Sequence, residues 1–151
     1  MYASGHPNPD TQSDFYETVA AKRLFAWLID MAVTFVLAAP LIVPVLLVSV
    51  VLFFPLLLIP TILAVTGFVY RWFTISSRSA TWGMRLMAIE LRGADGRRLA
   101  GSTAFLHTLG TTLSFAFPLV QAVSVLLMVT GERGQGITDM VLGTAMLNRA
   151  G

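Results

Sequence analysis

Residues 31–70, MAVTFVLAAPLIVPVLLVSVVLFFPLLLIPTILAVTGFVY, hold no charged side chain from end to end. As one helix rising 1.5 Å per residue the stretch would run about 60 Å, roughly twice the hydrocarbon thickness of a bilayer. Two spans joined by a tight turn fit instead, one over about 22–46 and one over about 50–72. Pro40, Pro44, Pro55 and Pro60 cluster around the expected turn, where a missing N–H does least harm. Tyr70 and Trp72 close the second span as an interfacial aromatic pair.

Composition points the same way. The chain of 151 residues is 56 % hydrophobic and 12 % charged, whereas a soluble domain carries about a quarter charged residues. So few charges leave a lipid-facing surface as the simplest account. The length allows one domain, and the lack of cysteine excludes disulfides and thiolate metal sites. Residues 1–19 read as a polar cytoplasmic tail, with Pro7, Pro9, Asp10, Asp14 and Glu17 and no basic start before an apolar core, so not as a secretory signal. Such a tail orders only by docking on something else. Residues 20–151 then form the membrane domain.

Nine of the ten basic residues are arginine. Arg71, Arg78, Arg85, Arg92, Arg97 and Arg98 fall between hydrophobic blocks, and the positive-inside rule places that stretch, with Lys22 and Arg23, in the cytoplasm. Their nearest partners are anionic lipid headgroups, at roughly 1 kcal/mol per basic residue near the surface, or another protein. Nucleic acid is not expected, because aromatic interleaving is thin and the segment is tethered at a membrane.

Within residues 76–103, Met87, Ile89 and Leu91 alternate with Ala88, Glu90 and Arg92, the period of a half-buried strand. The turn signal Gly93-Ala94-Asp95-Gly96 and then Arg97-Arg98-Leu99-Ala100 follow, which predicts a short cytoplasmic β-hairpin; an irregular basic loop is the alternative. The third apolar block, 104–130, carries Pro118 in its middle. It reads either as one tilted span or as two short helices folding back at Phe117-Pro118. Arginines on both flanks favour the fold-back, with the C-terminus cytoplasmic, and a half-span of about 13 residues suits a re-entrant piece. The fold class expected is therefore an all-α membrane protein: a transmembrane helical hairpin, a short β-hairpin, and a Pro-broken third segment.

Three features in order carry a family resemblance. Arg23 and Asp30 open the first span, Ser79-Ala80-Thr81-Trp82-Gly83-Met84-Arg85-Leu86 follows the second, and Arg133-Gly134-Gln135-Gly136-Ile137-Thr138-Asp139 leads into Gly143-Thr144. Over roughly residues 20–147 the chain resembles the RDD family of bacterial membrane proteins, named for one arginine and two aspartates. Serine stands at 79 for the first glycine of a Gly-x-Thr-x-Gly pattern, and Thr138 for a histidine before the second aspartate. The resemblance implies that Arg23, Asp30 and Asp139 form a cytoplasmic-facing polar cluster in a small helical protein of the inner membrane. It implies little about activity; ion transport is suggested for some members. The missing histidine at 138 counts against proton shuttling there.

The residues themselves add detail. Arg23 and Asp30, seven apart, share a helix face but lie about 10 Å apart along the axis, too far for a comfortable salt bridge. A carboxylate at mid-bilayer costs about 2.5–3.5 kcal/mol and less near the interface. Asp30 therefore wants a partner from another segment, the arginine-rich stretch or the Asp139 turn being the candidates. The cluster reads as a structural lock or as an ion or proton site. His107, Thr111, Ser114 and Gln121 would line one face of a continuous helix, as a polar path or as interhelical glue. No second ligand accompanies His107 at helical spacing, so no metal is expected, and no cofactor. No nucleophile–base pair, phosphate loop or metal-protease motif is present, and an enzyme is the least supported class. The expectation is a small non-catalytic membrane protein, an accessory or scaffold subunit that associates with other membrane proteins. The alternative is an ion- or proton-coupled transporter acting as a self-associated oligomer.

Overall fold

A computed structural model describes residues 5–52 and 54–149. Helix α1 (Val19–Leu52) and helix α2 (Leu58–Arg78) form an apolar hairpin, joined through a tight 3-10 turn at Phe54–Leu57. Both are long and apolar enough to cross a membrane. The charge-free part of α1, residues 31–52, runs about 33 Å, close to the hydrocarbon thickness. Its outward side chains lack partners within the fold: Val50 and Val51 are 80 % and 79 % exposed. Such surface is stable only against lipid or another apolar chain.

The turn lies later than the prolines suggest. Pro40 and Pro44 sit inside α1, each removing one backbone hydrogen bond, a loss that membrane helices accommodate. Pro55 lies in the turn and Pro60 in the first turn of α2, where its missing N–H would have no helical partner.

Beyond α2 the chain makes a compact cap at the charged end of the hairpin. It comprises helix α3 (Trp82–Leu86), strand β1 (Ile89–Arg92), helices α4 (Gly101–Ala116), α5 (Pro118–Thr130) and α6 (Ile137–Leu142), and strand β2 (Ala145–Asn148). Ile89, Leu91, Leu99, Ala104 and Met146 form its core against Val19 and Ala26 of α1 and Ile75 of α2. The third apolar block folds back, α4 and α5 meeting at 118°. Phe117 is extended between them and Pro118 begins α5, where its fixed φ suits a helix start.

Strand β1 forms as its alternation predicts, but with a different partner. The turn at 93–96 is present, with Gly93 N donating to Arg97 O, yet the returning segment contributes only a single bridge, Arg92 to Arg98. The antiparallel partner is β2, with Leu91 opposite Met146. Leu99 is drawn into the core, its N–H donating to Ser79 Oγ at 2.8 Å, and α4 starts two residues later, so no strand can continue there. The edge of β1 is taken by Ala145, Met146 and Leu147, all buried.

The N-terminal segment docks on the chain itself. Gly5 N donates to Ala94 O at 2.8 Å, and Asn148 Nδ2 donates to the carbonyls of Asp14 and Glu17 at 2.8 and 2.9 Å. Lys22 Nζ donates to Asn148 Oδ1 at 2.7 Å. The start of α1 and the end of β2 therefore lie side by side at one end of the molecule.

Candidate functional site

Asp30 lies on the face of α1 that meets α3 and is 2 % exposed. Its Oδ1 accepts from the Tyr70 hydroxyl at 2.8 Å and from Gly83 N at 2.9 Å, and its Oδ2 from the Thr81 hydroxyl at 2.6 Å. Thr81 Oγ1 accepts in turn from Met84 N, and Tyr70 Oη from Trp82 N. One carboxylate thus ties α1 to α2 and to the first turn of α3. The closeness depends on Gly83, since a β-carbon there would overlap the Ala26 carbonyl and the Asp30 carboxylate.

The partners of Asp30 come from the expected stretch but are not its arginines, and Asp139 is not among them. Tyr70, read as an interfacial aromatic, is buried and aimed at Asp30. Hydroxyls and an amide can stabilise a carboxylate as well as a cation does when they converge from fixed positions. Ser79 explains the departure from glycine. It ends α2 in the left-handed region at φ 55°, a conformation that glycine favours, and is held there by bonds to both flanks: its carbonyl accepts from Leu91 N and its hydroxyl from Leu99 N.

Arg23 turns instead to Asp139, its Nη1 2.7 Å from Oδ2 and 3.0 Å from the carbonyl of Gly134. Oδ2 also accepts from Gly136 N at 3.0 Å, while Oδ1 accepts from Thr144 Oγ1 at 3.1 Å. His107 on α4 completes the set, Nε2 lying 2.8 Å from Oδ1. An ionised carboxylate only accepts, so Nε2 carries the proton. Burial alone would raise the Asp139 pKa, but the Arg23 charge and the bonds from His107 and Gly136 outweigh it and hold the carboxyl well below its ordinary range. Gly143, at φ 63°, ends α6 in a left-handed turn that brings Thr144 back onto Asp139.

The constellation is therefore two adjacent locks. Asp30 joins the hairpin to α3; Arg23 and His107 join α1 and α4 to α6. Both open on one cavity of about 620 Å³ that also receives Arg71, Thr111, Ser114 and Gln121. The polar stripe is broken by the 118° bend, yet its four members still face one space, and Ser114 Oγ donates to Gln121 Oε1 across the bend at 2.8 Å. Ser124 accepts from Ile137 N at 3.1 Å and fastens α5 to α6.

The six arginines are not equivalent. Arg71 lines the cavity, Arg92 is bonded to Glu90, and Arg78, Arg85 and Arg98 line a separate surface hollow; Arg97 is exposed. Sequence reasoning missed Tyr70 as a partner of Asp30, and Gly136 and Thr144 entered it only within the terminal motif. Thr81 and Gly83 were visible only as letters of a motif, and His107 only as a member of a stripe. Among the described residues no group of three potential metal ligands gathers.

No match was found among curated proteins or among solved structures. The sequence profile of the RDD family matches residues 18–143. That range contains Arg23, Asp30 and Asp139 with most of the groups that hold them, and the chain belongs to the RDD family.

Proposed function

We propose that this is a small non-catalytic protein of the bacterial inner membrane that works by association, as an accessory or scaffold subunit of a larger membrane complex. One observation carries the reading. Each of the four oxygens of Asp30 and Asp139 has at least one donor from another element, one of them a guanidinium. A cation would have to displace those donors and sit beside Arg23. A carboxylate so engaged fixes helices relative to one another, and the apolar faces of α1 and α2 remain free for lipid or partner helices. The concentration of arginine at the end bearing both locks supports a cytoplasmic placement for that end.

A second reading, an ion- or proton-coupled transporter working as an oligomer, draws on the cavity. It places both carboxylates, His107 and the hydroxyl and amide stripe around one space.

Purification in mild detergent, with identification of what accompanies the protein, separates the two. The association reading expects a stable foreign complex that an Asp30→Asn variant, shown to be folded by thermal unfolding, still forms. Recovery of homo-oligomers alone, together with a pH- or sodium-dependent flux in proteoliposomes that the folded variant lacks, would overturn it.

A further inference from the structure

Four arginines from separate parts of the chain meet at one hollow. Arg78 is the last residue of α2, Arg85 lies on α3, Arg98 follows the 93–96 turn, and Arg149 follows β2; with Ser77 they enclose about 280 Å³. Two nearby arginines are neutralised, Arg23 by Asp139 and Arg92 by Glu90. Arg78, Arg85 and Arg98 make no ion pair among the described residues. Arg149 has only a long contact, 3.7 Å, with the Glu90 carboxylate that Arg92 already engages. Four like charges around one concavity repel one another, and the arrangement is best stabilised by an anion with several acceptor oxygens. Guanidinium forks suit the tetrahedral face of a phosphate.

The position of the hollow narrows the source. Arg78 ends a membrane-crossing helix. Beside it α3 turns Trp82 and Leu86, four residues apart and therefore on one face, outward at 57 % and 69 % exposure. An exposed tryptophan and leucine flanking arginine at the end of a span are the side chains of a membrane interface. A basic hollow so flanked suits the headgroup level of a bilayer.

We propose that this four-arginine basin binds the phosphate of an anionic phospholipid headgroup. The inference rests on the membrane placement of the hairpin and is independent of the choice between association and transport.

The test uses the full chain in mild detergent, with thermal unfolding and native mass spectrometry in the presence of phosphatidylglycerol, phosphatidylcholine or inorganic phosphate. Phosphatidylglycerol should raise the unfolding temperature and remain bound, and phosphatidylcholine should do neither. An Arg85→Gln/Arg98→Gln variant should bind phosphatidylglycerol about tenfold more weakly or worse. An Arg97→Gln/Arg133→Gln variant, which removes the same charge outside the basin, should bind it within about twofold of the parent. Equal weakening in both variants would mean diffuse attraction and overturn the basin. Protection by phosphatidylcholine equal to that by phosphatidylglycerol, or by neither, overturns it too. If inorganic phosphate alone reproduces the effect in full, the headgroup assignment fails.

Discussion

At the scale of single residues, backbone approach governs the Asp30 lock. Because Gly83 leaves no room for a β-carbon, Gly83→Ala should push α3 off α1 and cost about 3 kcal/mol. A lower unfolding temperature in detergent, with earlier proteolysis near residue 83, checks this. Ser79 gives a finer comparison. Ser79→Ala and Ser79→Gly both leave Leu99 N without its acceptor, but only alanine also bears the left-handed penalty. Ser79→Ala should be the less stable of the two by about 1 kcal/mol, read from paired unfolding curves. Asp139 makes a pH prediction. Its native pKa is depressed by Arg23, His107 and Gly136 against the opposing effect of burial. Its contribution to stability is complete above the ordinary value of 3.8 and fades as pH falls from there toward the lower native value. Arg23→Gln leaves a buried carboxylate short of its charge partner and should cost about 3–5 kcal/mol at neutral pH. The deficit relative to the parent should narrow on acidification, a trend that unfolding measured from about pH 6 to pH 3 would reveal or refute.

At the scale of elements, the alternation of Met87, Ile89 and Leu91 identifies a strand but not its neighbour. A strand edge must be paired, and the nearest segment in sequence is the natural candidate. Here it is diverted, because Leu99 is committed to the core and to Ser79 and α4 begins at once. The chain lacks cysteine, so introduced pairs read the pairing cleanly. Leu91→Cys with Met146→Cys should form a disulfide on mild oxidation, since opposed residues in an antiparallel pair lie within bridging distance. Failure of that pair to oxidise would overturn the β1–β2 pairing. The fold-back of α4 and α5 follows from a more local cause, the extended Phe117 and the proline that starts the next helix.

At the scale of the whole molecule, polarity is divided along the long axis. One end of the hairpin bears no charge, while the other carries both carboxylate locks, the arginines and the two-stranded sheet. Because β2 bonds to the segment leading into α1, reporters fused before Met1 and after Gly151 should sit in the same compartment, the cytoplasm by the arginine distribution. Opposite compartments would show that α4 and α5 cross the membrane together as one span.

The membrane class, two long apolar helices and a break near Pro118 were legible from the sequence, and its motifs directed attention to Arg23, Asp30 and Asp139. They rest on properties that repeat over many residues or on motifs short enough to read directly. Forty uncharged positions have few places to go but lipid, and a proline ends a helix wherever it cannot be accommodated. What the tertiary structure alone decided is which group meets which. Arg23 faces Asp139 because α6 packs on α4 and α5 within reach of the start of α1, Asp30 is satisfied by hydroxyls and an amide because α3 approaches through Gly83, and β1 pairs with a segment more than fifty residues away. Each of these contacts joins distant parts of the chain at bonding distance, and no local pattern of hydropathy or charge encodes such a meeting.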